Sequence, residues 1–373
     1  MSPVVNIKSS LSPKTWVSPG RLWLTMSSNS HGIIHFMMCL LVRGVPDILD
    51  YAIPKERIII AHEPKGKGHQ KLSGWSERIQ VSYSDDFFKT SKVLVKGGNK
   101  FLLTSFFLFV VQVNDEETQE VTLLSGNSRD PEYKTLRPIE LPHKHLMEHS
   151  YTILDTSEHA VFLHINHEGE KGKFGNIYVS DSTGIRFSLS LQGNVRNLDG
   201  QCDFERVQAL DGIYLANIYD KDAIKRYKNN QVEEGLPHQV GGVKKTADSA
   251  YKPGSYRPDK IDNIGIANAQ AARRGLDDFM QTRISFNKGG MWVPLTPPLK
   301  DSEGKRIICS DEDCSLHLHS ISSYQFGPFY TTENSVGLVL GTGNVGKYLS
   351  HKADEVNTYL SRDGGATWSE VFS

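Results

Sequence analysis

Excess charge and long apolar runs are missing from this 373-residue chain, cysteine is scarce, and each shortage closes off a class of protein. Forty-two Lys and Arg against 43 Asp and Glu leave a net charge of −1, which excludes the electrostatic footprint of a nucleic-acid binder or a polybasic membrane surface. The apolar runs Ile33 to Val42 and Phe101 to Val113 fall short of the roughly 20 residues that a membrane helix needs. The second, interrupted by Thr104 and Ser105, reads as a pair of buried strands. The first begins too far from Met1 for a signal peptide and is followed by Arg43-Gly44 rather than a small-residue cleavage site. Cysteine stands at 39, 202, 309 and 314, and only the last two are close, in "ICSDEDCSLH". Their separation can close a small disulfide loop, which would place the chain in an oxidising lumen. Free thiols, or a metal site of Cys309, Cys314, His317 and His319, are the alternatives. The two histidines share a strand face, but the cysteines lack the usual knuckle spacing, so the expectation is a Cys309–Cys314 disulfide, with no metal and no cofactor.

What is plentiful is glycine, with Pro, Ser, Asp and aromatics, a composition that suits short strands and tight turns and hence an all-β class. A repeated frame supports it. "NTYLSRDGGATWSEV" holds Ser361, Asp363, Gly365 and Trp368 in the pattern Ser-x-Asp-x-Gly-x-x-Trp. "TRISFNKGGMWVPL" repeats it with Ser285, Asn287, Gly289 and Trp292, and "NIYVSDSTGIRFSLSL" with Ser180, Ser182, Gly184 and Phe187. Degenerate copies stand at Ser84 and Asp86 and at Ser125. In such a turn a strand ends at Ser, the Asp or Asn side chain accepts backbone amides, Gly takes a positive φ, and the aromatic ring folds back as a plug.

The five serines lie 41, 55, 105 and 76 residues apart, against the roughly 40–50 residues of a propeller blade. The long gap contains residues 222–279, charged, poor in aromatics and without strand alternation, which read as a disordered insertion or an unspliced intron. Blades are expected over 57–221 and 280–373, and residues 1–56 read as an atypical, poorly ordered N-terminal segment. Gly341, Gly343 and Gly346 spell a dinucleotide-binding fingerprint, but the next strand follows about a dozen residues on. That leaves no room for a crossover helix, so the glycines read as a turn within a blade.

The repeated turns resemble the Asp-box turns of sialidases and of sortilin-type sorting receptors. The linear order of "DFERVQALDGIYLANIYD", "QTRISFNKGGMWVPLTPP", "CSLHLHS" and the C-terminal box is similar to the Vps-ten domain in its fungal form. The resemblance covers roughly 57–221 and 280–373. It implies a ten-bladed β-propeller, of which this chain would supply about five to six blades, in the lumenal part of a receptor of Golgi and late endosome membranes. The implied partners are soluble vacuolar hydrolase precursors of carboxypeptidase Y type, with a retromer-type coat only for the tail of a full-length receptor, and no enzyme activity. Further blades, a cysteine-rich module, a membrane span and a cytosolic tail belong to such a receptor, so a half-propeller alone is expected to be marginally soluble.

In this family an arginine ahead of one box can hold the carboxylate of a peptide tail. The corresponding stretch, Asn114 to Ser125, has no arginine, whereas Tyr151-Thr152-Ile153 matches the peptide-contacting stretch. The alternative is that Tyr151 and Ile153 are core residues at strand spacing. His143, His145, His149, His164 and His167 are candidates for pH-dependent release or plain solvated loop histidines. A sialidase-like glycosidase is the competing class; Arg137-Pro138-Ile139 resembles part of its arginine motif, without a convincing set of partners.

Overall fold

The protein's structure, a computed structural model, describes residues 36–41, 53–54, 57–62, 77–142, 146–148, 150–167, 172–197, 199–208, 210–233, 275–309, 313–323 and 325–372. The chain forms two compact units, 1–138 and 139–373. Both are built from antiparallel meanders in which most strands pair with a sequence neighbour.

In the first unit, β1 (Phe36–Leu41), β2 (Ile58–His62), β3 (Gln80–Ser84) and β4 (Lys92–Lys96) make one meander. β5 (Gly98–Leu103), β6 (Phe107–Asp115), β7 (Glu120–Asn127) and β8 (Arg137–Pro138) make the next. Ile59, Val81 and Tyr83 of the first pack against Phe101, Leu108 and Val110 of the second. In the second unit a short β9 (Leu146–Met147) precedes β10 (Tyr151–Asp155), β11 (Phe162–Ile165), β12 (Phe174–Ser180) and β13 (Phe187–Val195). There follow β14 (Phe204–Arg206), β15 (Tyr214–Tyr219), β16 (Met280–Ser285) and β17 (Val293–Pro294), joined to the preceding group by the pairing of Asn194 with Ile218. The last sheet is β18 (Ser315–Leu318), β20 (Val339–Gly346), β21 (Asn357–Ser361) and β22 (Ser369–Phe372), with β19 (Tyr330–Thr331) beside β20. Phe162 and Ile177 pack on Phe204, Tyr214 and Ala216 of the next group, and Leu215 and Ile284 pack on Leu316 and Leu318 of the last. This all-β arrangement, in which sheets stack on their neighbours within each unit, is that of propeller blades.

The Ser-x-Asp turns join the third and fourth strands of their sheets. Ser361 Oγ accepts the Gly365 amide at 2.8 Å and Asp363 Oδ1 accepts the Thr367 amide at 2.9 Å. Ser285 with Asn287 makes the same bonds to Gly289 and Met291, and Ser84 with Asp86 to Phe88 and Thr90. The Trp368 indole N–H donates to Gly365 O, and the Trp292 indole N–H reaches Ser190 Oγ in the preceding group. A Cβ on Gly289 would stand 2.7 Å from Phe162, and one on Gly365 2.5 Å from Ile284, so each glycine lets its turn seat on the sheet before it.

Five expectations are corrected. At the third turn the brace is Asp181, not Ser182: its Oδ1 accepts the Thr183 and Ile185 amides, because a carboxylate is a stronger acceptor than a hydroxyl. Phe187 is still buried and Gly184 takes φ 71°. Ser125 starts no turn: β7 runs on to Asn127, and Asp130 braces the following loop through the Glu132 and Thr135 amides. Residues 36–41, placed in a poorly ordered segment, form β1 against β2. Residues 222–233, placed in a disordered insertion, lie in helix α1 (Lys221–Glu233). Asp220 caps it by accepting the Asp222 and Ala223 amides, and Ala223, Ile224 and Tyr227 pack on Phe174, Val195 and Tyr219. Residues 234–274 lie outside the described residues. Gly343 belongs to a strand rather than a turn; its Cβ would stand 1.8 Å from His317 O, so the glycine is required for β18 and β20 to approach.

Candidate functional site

β10 is the end strand of its sheet. Tyr151, Thr152 and Ile153 pair with Ile165, His164 and Leu163 on one edge, and among the described strands none pairs with the other. Every residue of β10 is half-buried, neither core nor free surface. Thr152 Oγ1 donates to Gly200 O at 3.4 Å. Burial, followed by the charge of Glu148, pushes the Tyr151 phenol well above its usual range. At the far end Asp155 accepts the Tyr214 hydroxyl at 2.9 Å and the Thr156 and Ser157 amides, which fixes the strand's exit.

The first strand of the next group, β14, carries Arg206, which reaches the loop after β10, and Glu205, whose cross-strand partner Leu215 packs on the following sheet instead. Arg206 is tied to Ser157 at 3.0 Å, Asp211 at 2.9 Å and Glu158 at 3.2 Å. Burial, then the charge of Asp203, pushes the half-buried Glu205 carboxyl up to about 7. An unpaired strand edge offers alternating N–H and C=O groups to an extended peptide, while the side chains beside it set which residues fit. The stretch expected to carry a clamp, from Asn114, is instead the β6–β7 turn, where Asp115 accepts the Glu117 and Thr118 amides.

Sequence reasoning passed over a polar layer at the seam between the β14–β17 group and the segment that opens the last sheet. Asp203 is fully buried and accepts the Ser322 amide and hydroxyl at 2.8 Å each and the Asn217 amide nitrogen at 3.0 Å; burial raises its pKa. Asn217 Nδ2 also donates to Leu318 O at 3.1 Å, Thr282 Oγ1 donates to Asn217 Oδ1 at 2.7 Å, and the Leu318 amide donates to Thr282 Oγ1 at 2.8 Å. Partners separated by as many as 119 residues leave no local signal to read.

Cys309 and Cys314 are joined as a disulfide, Cα to Cα 5.6 Å. The two histidines of the alternative metal set are used otherwise. His317 Nδ1 accepts the Thr282 amide and Nε2 donates to Gly346 O; His319 Nε2 donates to Ser350 O and its ring stacks on Phe326 at 4.3 Å. Burial lowers both to about 4, and lowers the fully buried His164 to about 3. His143, His145 and His149 lie outside the described residues. Arg137 is exposed on β8, the last strand of its meander. A cavity of about 430 Å³ lies elsewhere, among Asp301, Glu303, Glu355, Tyr359 and Glu370. Two of its carboxylates are occupied by backbone: Asp301 accepts the Lys305 amide and Glu370 the Ser302 amide.

The family model described as "Sortilin-Vps10: Sortilin, neurotensin receptor 3" matches residues 50–242 and 255–373. It therefore includes much of the stretch expected as an insertion. Curated relatives carry the name "Vacuolar protein sorting/targeting protein 10". That of Paracoccidioides brasiliensis (strain Pb18) is 30% identical over 305 residues, 79% of this chain and 17% of the relative. That of Aspergillus fumigatus (strain CBS 144.89 / FGSC A1163 / CEA10) is 31% identical over 303 residues, with the same coverage, and that of Debaryomyces hansenii is 27% identical over 305 residues, 79% and 16%. The chain thus spans about 17% of the length of the first two of these relatives. Among solved structures, a Trypanosoma rangeli sialidase in complex with the inhibitor DANA aligns over 86% of this chain and 47% of its own, at 11% identity and TM-score 0.26. The GH43 BlXynB protein of Bacillus licheniformis aligns over 85% and 53%, at 10% identity and TM-score 0.24. Likenesses this slight carry no weight for the site.

Proposed function

Because the chain belongs to the family described as Sortilin-Vps10, we propose that it is a lumenal, cargo-binding part of a sorting receptor that carries soluble vacuolar hydrolase precursors from the Golgi to the endosome and vacuole. The observation that carries this reading is the family match over residues 50–242 and 255–373, joined by relatives named for vacuolar sorting and targeting. The cargo is of carboxypeptidase Y type, the sheets are blades of a ten-bladed ring, and the chain works by binding rather than catalysis. A retromer-type coat would engage only the tail of a full-length receptor.

The open edge of β10 supports a route for cargo capture. An extended segment of the precursor adds to Tyr151-Thr152-Ile153 through its main chain, along the edge of β10 that no described strand pairs. Calorimetric titration of the 373-residue chain with a carboxypeptidase Y-like precursor, near pH 7 and near pH 5, tests it. Saturable binding at neutral pH that weakens on acidification is expected. No heat of binding from a chain shown by circular dichroism to be folded overturns the cargo assignment.

A further inference from the structure

Between β17 and β18 the chain runs out into a small hairpin with fixed feet: Pro298 is buried on one side, and Cys309 is bridged to Cys314 on the other. Between them Lys300 pairs with Arg306, and the Ile307 amide donates to Leu299 O at 3.0 Å. Asp301 accepts the Lys305 amide through Oδ1, and its own amide donates to Lys305 O. Gly304 turns the tip at φ 85°, with open space where a Cβ would stand. Residues 302–306 are all exposed, and Leu299 and Ile308 are 83% and 82% exposed, so the hairpin gains little from packing. Its one cross-strand pair sets two like charges opposite each other, which weakens it further. Among the described residues the bond from the Ser302 amide to Glu370, at 3.3 Å, is the one hydrogen bond that ties residues 300–307 to the rest of the unit.

The tip reads Gly304-Lys305-Arg306, and paired basic residues are what one class of endoprotease recognises. Neither Lys305 nor Arg306 forms an ion pair among the described residues, so both side chains are open to a protease cleft. The chain has three other such pairs. Lys225-Arg226 lies within α1, where Asp222 holds Lys225 and the Arg226 guanidinium sits over the Phe279 ring at 5.1 Å. Lys244-Lys245 and Arg273-Arg274 lie outside the described residues.

We propose that Arg306–Ile307 is a processing site, hydrolysed by an endoprotease specific for paired basic residues to give two chains that stay docked. The oxygen of water goes to Arg306, which becomes a carboxylate, and its two hydrogens go to Ile307, which becomes an ammonium. A protease takes an extended segment, and the backbone bonds that must open to supply one all lie within residues 299–307, a local opening rather than a global one. The Cys309–Cys314 bridge lies wholly after the cut and does not join the pieces. The seam does: Leu316 and Leu318 pack with Leu215 and Ile284, Asn217 and Thr282 bond Leu318, and Asp203 bonds Ser322. The site is independent of cargo.

To test it, the folded 373-residue chain is treated with trypsin and, separately, with a subtilisin-class endoprotease specific for paired basic residues, and initial rates are read bond by bond by mass spectrometry. Both enzymes should cut Arg306–Ile307 within about tenfold of the rate in a free peptide of residues 299–312, while Arg226–Tyr227 is cut at least about a thousandfold more slowly than in its own peptide. Lys305→Gln should abolish cutting there by the paired-basic enzyme and leave the trypsin rate unchanged. The cut chain should elute at the parent's size until urea is added. Protection of Arg306–Ile307 as strong as that of Arg226–Tyr227 overturns the site, and a paired-basic rate that ignores Lys305→Gln overturns recognition of the pair. Pieces that separate in buffer overturn the docked product.

Discussion

Phe87 holds a left-handed backbone, φ 58°, with its ring 68% exposed, so its side chain gains little from packing and its backbone bears the strain of a Cβ in that region. The matching position in the last sheet's turn is Gly364, φ 72°. The surrounding bonds are in place: Ser84 Oγ accepts the Phe88 amide, and the Thr90 amide and hydroxyl hold Asp86 down to about 2. Phe87→Gly should therefore stabilise the chain by roughly 0.5–1 kcal/mol, the relieved strain less the entropy a glycine adds to the unfolded state. A urea midpoint that rises checks it; a fall would mean that the ring makes contacts its exposure conceals. The opposite substitution, Gly364→Phe, meets Leu210 and Ile213 under the turn and should be strongly destabilising.

Between elements, the seams rest on polar side chains as well as apolar ones. Removing Asn217 takes one donor from buried Asp203 and the acceptor from Thr282, and leaves Leu318 O with the longer Thr282 contact of 3.4 Å. Asn217→Ala should cost about 2–4 kcal/mol, whereas Asn114→Ala, which breaks only exposed bonds to Thr122, should cost less than about 0.5 kcal/mol. Paired unfolding midpoints of the two variants measure the difference. The contrast also shows what could be read from sequence. The turn frames at Ser84, Ser285 and Ser361 were legible because their bonds span two to four residues. Asp181 was missed because the frame places the acceptor two residues after the serine, and a nearer carboxylate took the role. Asp203, Asn217 and Thr282 were illegible because a polar residue in a buried strand looks like an error until the strand it bonds, 36 to 119 residues away, is in place. The open edge of β10 was legible only as a resemblance, since Tyr151-Thr152-Ile153 alternates as any strand does.

Across the whole molecule, buried titratable groups oppose one another as pH falls. His164, His317 and His319 are bases lowered to about 3, 4 and 4 by burial, so the folded chain refuses protons that the unfolded chain accepts below about pH 6.5. Their share of stability is complete above that value and is lost as pH falls from about 6.5 toward 4. Glu205 is an acid raised to about 7, so its folded form takes a proton before the unfolded form does; its contribution grows as pH falls from about 7 to 4.5 and is absent above 7. The three histidines act against Glu205 and against buried Asp203, an acid that burial also raises, and their loss on acidification is centred on the seams where His317 accepts the Thr282 amide. His319→Gln should lower the slope of unfolding free energy between pH 6 and 5 by one proton's worth, about 1.4 kcal/mol per pH unit. Glu205→Gln should do the reverse: a gain of about 1 kcal/mol near pH 8, discounted for the half-exposed carboxyl, shrinking to nothing near pH 4.5. Urea unfolding of parent and variants across this range reads both slopes. If His319→Gln leaves the slope unchanged, that histidine already titrates in the folded chain, and acid sensitivity must be sought in Glu205 and the cargo strand rather than in the seams.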